Sequence, residues 1–193
     1  MKKPGLTLPK EEAAELERFY RDSKVILEYG SGGSTFLAAS MPEKTIFSVE
    51  SDAAWTANLS LSIRAHNVPS LPFLYYVDVG KTGSWGAPVD ESSWKTYPDY
   101  SSKIWREPFF EQPDVVLVDG RFRVGCFIAT LAHTRHNVTI MFDDYQNREY
   151  YHIVERYLKP ERIVGRMAIF NAKPGMLTAK DVLDLVSYVY SKS

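Results

Sequence analysis

The stretch "LEYGSGGST", residues 27–35, ends an apolar run in a glycine-rich turn that has an acid just before it. No lysine follows the glycines, so the turn lacks the cation that a phosphate-binding loop requires. Glu28 stands two residues before Gly30, and a carboxylate there would repel a pyrophosphate but attract an ammonium group. The turn therefore favours a ligand with a positively charged end over a dinucleotide.

A second acid, Glu50, ends the next apolar run, "TIFSVE". A carboxylate at this place can accept hydrogen bonds from both hydroxyls of a ribose. S-adenosylmethionine (SAM) carries an ammonium, a sulfonium and a ribose diol but no phosphate. It is the ligand that best fits Glu28 and Glu50 together.

Three further acids, Asp119, Asp143 and Asp144, follow two later apolar runs, "DVVLV" and "VTIMF". Several carboxylates at one sheet edge indicate a hard cation such as Mg²⁺, which would lower the pKa of a bound hydroxyl. A second interpretation is structural: Asp119 caps a turn, Asp144 caps the next helix, and only Asp143 faces the ligand. Arg121 and Arg123 could clamp an anionic substrate group, or they could pair with Asp143 and Asp144 and neutralise the site without a metal.

The elements that must position these residues alternate regularly along the chain. Short apolar runs are followed by helix-compatible stretches, which predicts a parallel sheet covered on both faces. "RIVGRMAIFNA" has room only for a tight turn between two strands, so this pair should be antiparallel. Helices are predicted over "YQNREYYHIVERYL" and over the final "TAKDVLDLVSYVY".

Residues 80–112 interrupt this alternation with three of the four tryptophans, Trp85, Trp94 and Trp105, and no sustained periodicity. A connection of this length inside a compact domain is usually functional or disordered, and its many aromatic residues argue against disorder. We expect a lid over an aromatic or sugar-like substrate, or else a local core that keeps the insertion folded.

Bulk composition limits the classes of partner. The chain has 193 residues, of which 45% are hydrophobic, and a formal net charge of −1. This predicts one domain over 1–193, no binding of nucleic acid and no membrane span. Cys126, the single cysteine, suits a reducing compartment, so a cytoplasmic location is expected. The oligomeric state is left open, with a homodimer as one option.

In order and spacing, "LEYGSGGST", "FSVESD", "VDVG", "VLVDG" and "MFDDY" resemble the class I SAM-dependent methyltransferases across nearly the whole chain. The resemblance implies a Rossmann-like, doubly wound α/β fold with a mostly parallel seven-stranded sheet and a C-terminal antiparallel strand. It also implies a small-molecule acceptor.

The cofactor site implied by the resemblance has three parts. The methionine end would lie against Glu28, Gly30, Ser31 and Gly32, the ribose at Glu50, and the adenine near residues 78–80. The cofactor assignment comprises Glu28, Tyr29, Gly30, Ser31, Gly32, Ser34, Thr35, Glu50, Ser51, Asp78, Val79, Gly80 and Asp119.

The acceptor side resembles metal-dependent O-methyltransferases of the catechol and macrolide-sugar types. That resemblance makes Asp119, Asp143 and Asp144 the catalytic and metal-binding set, with Arg121, Arg123, Trp85 and Tyr145 on the substrate side. "GRFR" follows Asp119 where the catechol type has a lysine, and arginine cannot serve as a base, so the base is unassigned.

The sequence thus predicts a SAM-dependent methyltransferase that acts on a small molecule, at oxygen. One rival is a methyltransferase-like protein without activity that binds a partner or an acidic metabolite. A nicotinamide-dependent oxidoreductase is a second rival, disfavoured by Glu28 and the terminal hairpin.

Overall fold

A computed structural model describes residues 3–178, 181 and 188–191 of the chain. Seven strands of this part form one mixed sheet in the spatial order β3-β2-β1-β4-β5-β7-β6. The strands are β1 (Val25–Tyr29), β2 (Thr45–Glu50), β3 (Phe73–Tyr76), β4 (Val115–Val118), β5 (Val138–Phe142), β6 (Arg162–Val164) and β7 (Met167–Ala172). β7 pairs antiparallel with both β5 and β6, whereas the other pairs are parallel. The predicted fold class is confirmed.

Helices lie between most of the strands. The α-helices are α1 (Lys10–Asp22), α2 (Gly33–Ala39), α3 (Ala53–Ala65), α4 (Tyr97–Ser102) and α5 (Arg123–His133). Short 3₁₀ segments cover Ser84–Gly86, Trp94–Thr96, Ile104–Arg106 and Glu149–Arg156. None of the helices in the described part of the chain is both long and apolar enough to cross a membrane.

The central strands β1 and β4 are apolar along nearly their whole length because both of their faces are covered. Every residue of β1 and of β4 is buried. Glu28, on β1, is the one acid in these strands, and it is fully buried. The apolar run that suggested a parallel strand thus carries its single charged residue into the core.

Two of the helix predictions have different outcomes. The segment after β5 is helical, but as a 3₁₀ helix over Glu149–Arg156 rather than an α-helix over the whole stretch. The final helix, predicted over residues 178–190, falls mostly outside the described residues, which omit 179–180 and 182–187.

The insertion of residues 80–112 contributes to the main core and also reaches the surface. Tyr97, Tyr100 and Ile104 are buried in the same cluster as β1 and β4. Trp105 donates a hydrogen bond from Nε1 to the hydroxyl of Tyr29 at 2.6 Å. Trp85, in contrast, is 81% exposed. The second half of the insertion is therefore anchored, while its first half carries an exposed tryptophan.

The loops after β1 and β4 touch through two glycines. Gly30 has a φ of +99°, and a Cβ atom added to it would lie 2.8 Å from the Cα and N atoms of Gly120. The close approach fixes the spacing between the glycine turn and Asp119, which is adjacent to Gly120.

Gly30→Ala is expected to lower the free energy of unfolding by about 2–4 kcal/mol, for two reasons. Alanine is strained at the positive φ of this position, and its Cβ atom would clash with the backbone of Gly120. Gly175→Ala is the matched control, since Gly175 has a φ of +74° with nothing within 4 Å of the added Cβ. Its cost should be only about 1–2 kcal/mol, the backbone contribution. Urea unfolding measures both, and equal losses would show that contact with Gly120 is unimportant.

Candidate functional site

A cavity of about 420 Å³ opens at the carboxyl ends of β1, β2 and β4. This is the edge at which open α/β sheets bind ligands. Its wall comes from five parts of the chain: the N-terminal segment, the glycine turn, the start of α3 and its approach, the insertion, and the loop after β4. The lining residues are Pro4, Gly5, Leu6, Thr7, Leu8, Gly30, Ser31, Gly32, Gly33, Ser34, Glu50, Asp52, Trp55, Trp85, Gly86, Tyr100, Asp119, Gly120 and Arg121.

Glu28 lies beneath the glycine turn and does not line the cavity. Its carboxylate accepts hydrogen bonds from the hydroxyls of Thr35 at 2.5 Å, Tyr20 at 2.7 Å and Ser48 at 3.0 Å. Burial raises the pKa of Glu28, while the bonds from Thr35 and Tyr20 oppose that rise. Because its oxygens already hold three donors, Glu28 positions the turn from below, in place of the direct ammonium contact expected from the sequence.

The turn above Glu28 is tied to it through two hydroxyl side chains. Thr35 Oγ1 accepts the backbone N–H of Gly32 at 2.9 Å, and the Ser48 hydroxyl is 2.7 Å from that of Ser31. Trp55 closes the other side by donating from Nε1 to the carbonyl of Ser31 at 2.7 Å. The turn is thus held rigidly on both sides before any ligand binds.

Glu50 faces the cavity with its carboxylate fixed by backbone donors. Oε2 accepts the N–H of Ser31 at 3.1 Å, and Oε1 accepts the N–H groups of Ser51 at 2.7 Å and Asp52 at 3.1 Å. A carboxylate oxygen has room for a further donor beyond these. The side chain is therefore oriented in advance to accept hydrogen bonds from hydroxyls of a ligand.

The N-terminal segment lies across the start of α2. A Cβ atom added to Gly33 would lie 2.2 Å from the carbonyl oxygen of Gly5, so the two backbones are in close contact. Residues 4–8 thereby form one wall of the cavity. Nothing in the opening residues of the sequence indicated this role.

The insertion supplies the wall near Glu50. The hydroxyl of Ser51 donates to the carbonyl of Gly86 at 2.8 Å, which brings the neighbouring Trp85 to the cavity. Trp85 has a φ of +60°, an uncommon backbone conformation for a bulky residue. The local-core interpretation applies to the second half of the insertion, where Tyr97, Tyr100 and Ile104 are buried in the main core. For the first half, a lid over the substrate stays a prediction.

The three aspartates converge as expected, but arginines neutralise them. Arg166 binds both oxygens of Asp143, at 3.0 and 2.7 Å. Buried Arg123 pairs with Asp119 at 3.2 Å and with Asp144 at 3.5 Å. Of the two arginines in "GRFR", only Arg123 joins this network, and Asp143 is paired by Arg166 from the β6–β7 turn.

The network does not fit a divalent cation. Mg²⁺ requires carboxylate oxygens that are free to enter its coordination shell, whereas both oxygens of Asp143 are bound to Arg166. Within the described ranges, no group of three or more His, Cys, Asp and Glu side chains is arranged to hold a metal ion. The Mg²⁺ site predicted at Asp119, Asp143 and Asp144 is not supported.

Arg166→Met is expected to lower the free energy of unfolding by about 3–5 kcal/mol, because it leaves the buried carboxylate of Asp143 without its main partner. Arg162→Met is the matched control: Arg162 pairs with Glu15, whose carboxylate is less buried than that of Asp143 and keeps Arg18 as a second partner. A pair of this kind contributes about 0–1 kcal/mol. Urea unfolding of both variants is the measurement, and similar losses would contradict a structural role for the Asp143 pair.

Asp119 alone of the three acids lines the cavity. Burial raises the pKa of Asp119 to about 7, with Asp143 adding to the rise and the guanidinium of Arg123 opposing it. A general base works best when its pKa is close to the operating pH. Asp119 therefore combines position and basicity, which the sequence left unassigned.

The structure divides the predicted site residues into two groups. Those in the cavity wall are Gly30, Ser31, Gly32, Ser34, Glu50, Trp85, Asp119 and Arg121. Those away from the wall are Glu28, Tyr29, Thr35, Ser51, Asp78, Val79, Gly80, Arg123, Asp143, Asp144 and Tyr145.

Most of the second group are buried in contacts of their own. Tyr29 donates to the carbonyl of Ser101 at 2.7 Å, and Tyr145 donates to Glu155 at 2.9 Å. Gly80, the first residue of the insertion, packs against a later part of it, since a Cβ atom added there would be 2.5 Å from the hydroxyl oxygen of Ser93. The expected adenine edge is thus covered in part by residues of the insertion.

Comparison with solved structures agrees with this fold. The chain is 42% identical to a methyltransferase-like protein from Silicibacter pomeroyi, with 98% of each chain covered and a TM-score of 0.94. The protein belongs to the class I SAM-dependent methyltransferase family. Within that family, the Silicibacter protein is a relative of nearly the same length and architecture.

Two more distant structures share the fold alone. One is the O-methyltransferase TomG from Streptomyces achromogenes, solved with SAM: identity is 14%, coverage 89% of this chain and 82% of TomG, and TM-score 0.58. The other is an O-methyltransferase from Bacillus cereus in complex with S-adenosylhomocysteine (SAH), the demethylated product of SAM: identity is 13%, coverage 89% of this chain and 84% of the Bacillus chain, and TM-score 0.61. No protein-family model and no curated protein matches the sequence.

Proposed function

We propose that this protein transfers the methyl group of SAM to an oxygen atom of a small-molecule acceptor, with Asp119 as the general base. The observation that carries the proposal is the cavity itself. Glu50, the glycine turn and Asp119 line one wall in that order, at the ends of the neighbouring strands β2, β1 and β4. SAM-bound and SAH-bound proteins of the same fold support the choice of cofactor.

The cofactor residues follow from this order. Glu50, held by three backbone N–H groups, would accept the ribose hydroxyls. Ser31 and Gly32 would lie along the methionine part, in a turn that Glu28 positions through Thr35 and Ser48. Trp55 and Trp85 offer aromatic surface at the cavity wall. When bound, SAM would supply the methyl group that is attached to its sulfonium. The bond between this methyl carbon and sulfur breaks during transfer, and its electron pair stays on sulfur.

Asp119 would remove the acceptor's hydroxyl proton as the oxygen attacks the methyl carbon. A pKa of about 7 leaves a substantial fraction of Asp119 ionised at neutral pH and gives it the affinity for a proton that a base needs. Arg123 fixes Asp119 through Oδ1 at 3.2 Å, so the carboxylate is oriented before the acceptor arrives. The rest of the task is positioning, which the rigid turn and the cavity walls provide.

A turnover assay tests the proposal. The protein is incubated with SAM and a panel of small hydroxylated compounds, and the formation of SAH and of methylated product is quantified by mass spectrometry. We expect equal amounts of both with at least one acceptor class. SAH binding without turnover on any acceptor would favour the rival, a methyltransferase-like binding protein.

A further inference from the structure

Arg121 lines the cavity, and none of the described residues forms an ion pair with it. Its neighbours Arg123, Arg148 and Arg166 each pair with Asp119, Asp143 or Asp144. Across residues 3–178, 181 and 188–191, the structure gives Arg121 no carboxylate partner, and its Nε atom is buried without a hydrogen-bond partner. Arg121 is thus a cavity cation whose charge the described part of the protein does not compensate.

The guanidinium of Arg121 carries a full charge in the cavity wall, and such a charge is costly unless a ligand of opposite charge compensates it. Guanidinium is a planar fork that matches carboxylate and phosphate oxygens, and it keeps its charge at all working pH values. The other charged residues in the cavity wall, Glu50, Asp52 and Asp119, are acids. An anionic group of a ligand would therefore bind at Arg121 in this wall.

The position of Arg121 indicates which ligand brings the anion. Along the sheet, Glu50 ends β2, the glycine turn follows β1, and Arg121 belongs to the loop after β4. Neighbouring strands are about 5 Å apart. A ligand with its ribose at Glu50 and its methionine part over the turn would leave Arg121 on the far side, next to the base.

A contact between Arg121 and the insertion also supports a place for the acceptor beside Arg121. The backbone N–H of Arg121 donates to the hydroxyl of Tyr100 at 3.3 Å, and Tyr100 itself lines the cavity. Arg121 thus lies between the base Asp119 and an anchored residue of the 80–112 segment, where an acceptor would be enclosed.

We propose that Arg121 binds a carboxylate or phosphate group on the methyl acceptor, so that the substrates are hydroxylated acids or phosphate esters. The inference rests on the proposed function. It explains why "GRFR" keeps one arginine out of the acid network. It also places the acceptor's anionic end close to Asp119, with its hydroxyl towards the base.

A nuclear magnetic resonance titration tests the anion site directly. The Nε–H resonance of Arg121 is assigned by its absence in Arg121→Gln, and inorganic phosphate is then added at constant ionic strength, with and without SAH. We expect saturable shifts of this resonance, and thermal stabilisation by phosphate that weakens about tenfold or more in Arg121→Gln. Arg121→Lys should retain part of the effect because it keeps the charge. Arg135→Gln, at an exposed arginine in the loop before β5, should leave phosphate binding unchanged.

Three results would overturn the inference. One is wild-type protein that binds SAH but shows no phosphate response. Another is an Arg121→Gln variant that keeps the full response. The third concerns the cofactor. If Arg121→Gln weakens the binding of SAH but not that of 5′-methylthioadenosine, which lacks the amino-acid part, then Arg121 binds the carboxylate of the cofactor's amino-acid part. Wild-type protein that binds phosphate but not SAH would instead remove the proposed function and the acceptor role with it.

Discussion

Asp119→Asn is expected to lower kcat by about 10²–10⁴, the usual contribution of a positioned base, while SAH affinity stays close to that of the wild type. Asparagine has nearly the same shape as aspartate but cannot take up the acceptor's proton. Asp99→Asn is the control, because it breaks only a surface pair with Arg106 and should keep full activity. An Asp119→Asn variant with wild-type kcat would exclude Asp119 as the base.

The pH dependence of the wild type provides a second readout of the same group. A base must be deprotonated, and the pKa of Asp119 is raised to about 7. We therefore expect kcat/KM to rise about tenfold per pH unit below pH 7 and to level off above it. A flat profile from pH 5 to 8 would contradict the assignment.

Stability should show the opposite trend. Between about pH 4, where an unfolded aspartate ionises, and pH 7, the folded protein holds a proton on Asp119 that the unfolded chain has lost. The contribution of Asp119 to the free energy of unfolding therefore falls with rising pH across this window. From pH 5 to 8, wild-type protein should lose about 2–3 kcal/mol more than Asp119→Asn, as measured by urea unfolding. Equal losses in the two proteins would show that the pKa of Asp119 is close to that of an ordinary aspartate.

Glu50→Gln is expected to raise the SAH dissociation constant about 10- to 100-fold, since hydrogen bonds to charged groups contribute about 1.5–3 kcal/mol. The amide also presents an N–H₂ group to a position that now accepts backbone N–H groups of Ser31, Ser51 and Asp52. Both effects weaken the ribose contact, and the second also loosens the turn, because the N–H of Ser31 loses its acceptor.

Glu17→Gln is the matched control for Glu50. Glu17 pairs with Arg21 on the exposed face of α1, and its side chain is 47% exposed. This variant should bind SAH as the wild type does. Wild-type affinity in Glu50→Gln would instead show that the ligand does not contact Glu50.

Much of the fold could be predicted because its signals are local. Apolar runs that end in acids predict the parallel strands, and the short link at Gly165 and Arg166 predicts the antiparallel pair of β6 and β7. Amphipathic spacing predicts a longer α-helix where the structure has a 3₁₀ segment over Glu149–Arg156, because the spacing does not distinguish the two helix types.

The site was harder to predict because its details depend on contacts between distant segments. Arg166 carries no sequence signal of its role, as its contact with Asp143 requires the antiparallel register of β5 and β7. Glu28 was correctly placed beside the turn, but the three hydroxyls that occupy it come from α1, α2 and β2. Only the assembled fold shows that Glu28 is a positioning residue.

Calorimetric titration of wild-type protein with SAH at neutral pH tests the central claim most directly. The proposed cavity predicts one saturable site per chain with a dissociation constant of about micromolar order. Folded protein that gives no saturable heat with either SAH or SAM would contradict it, and would mean that the cavity serves another ligand.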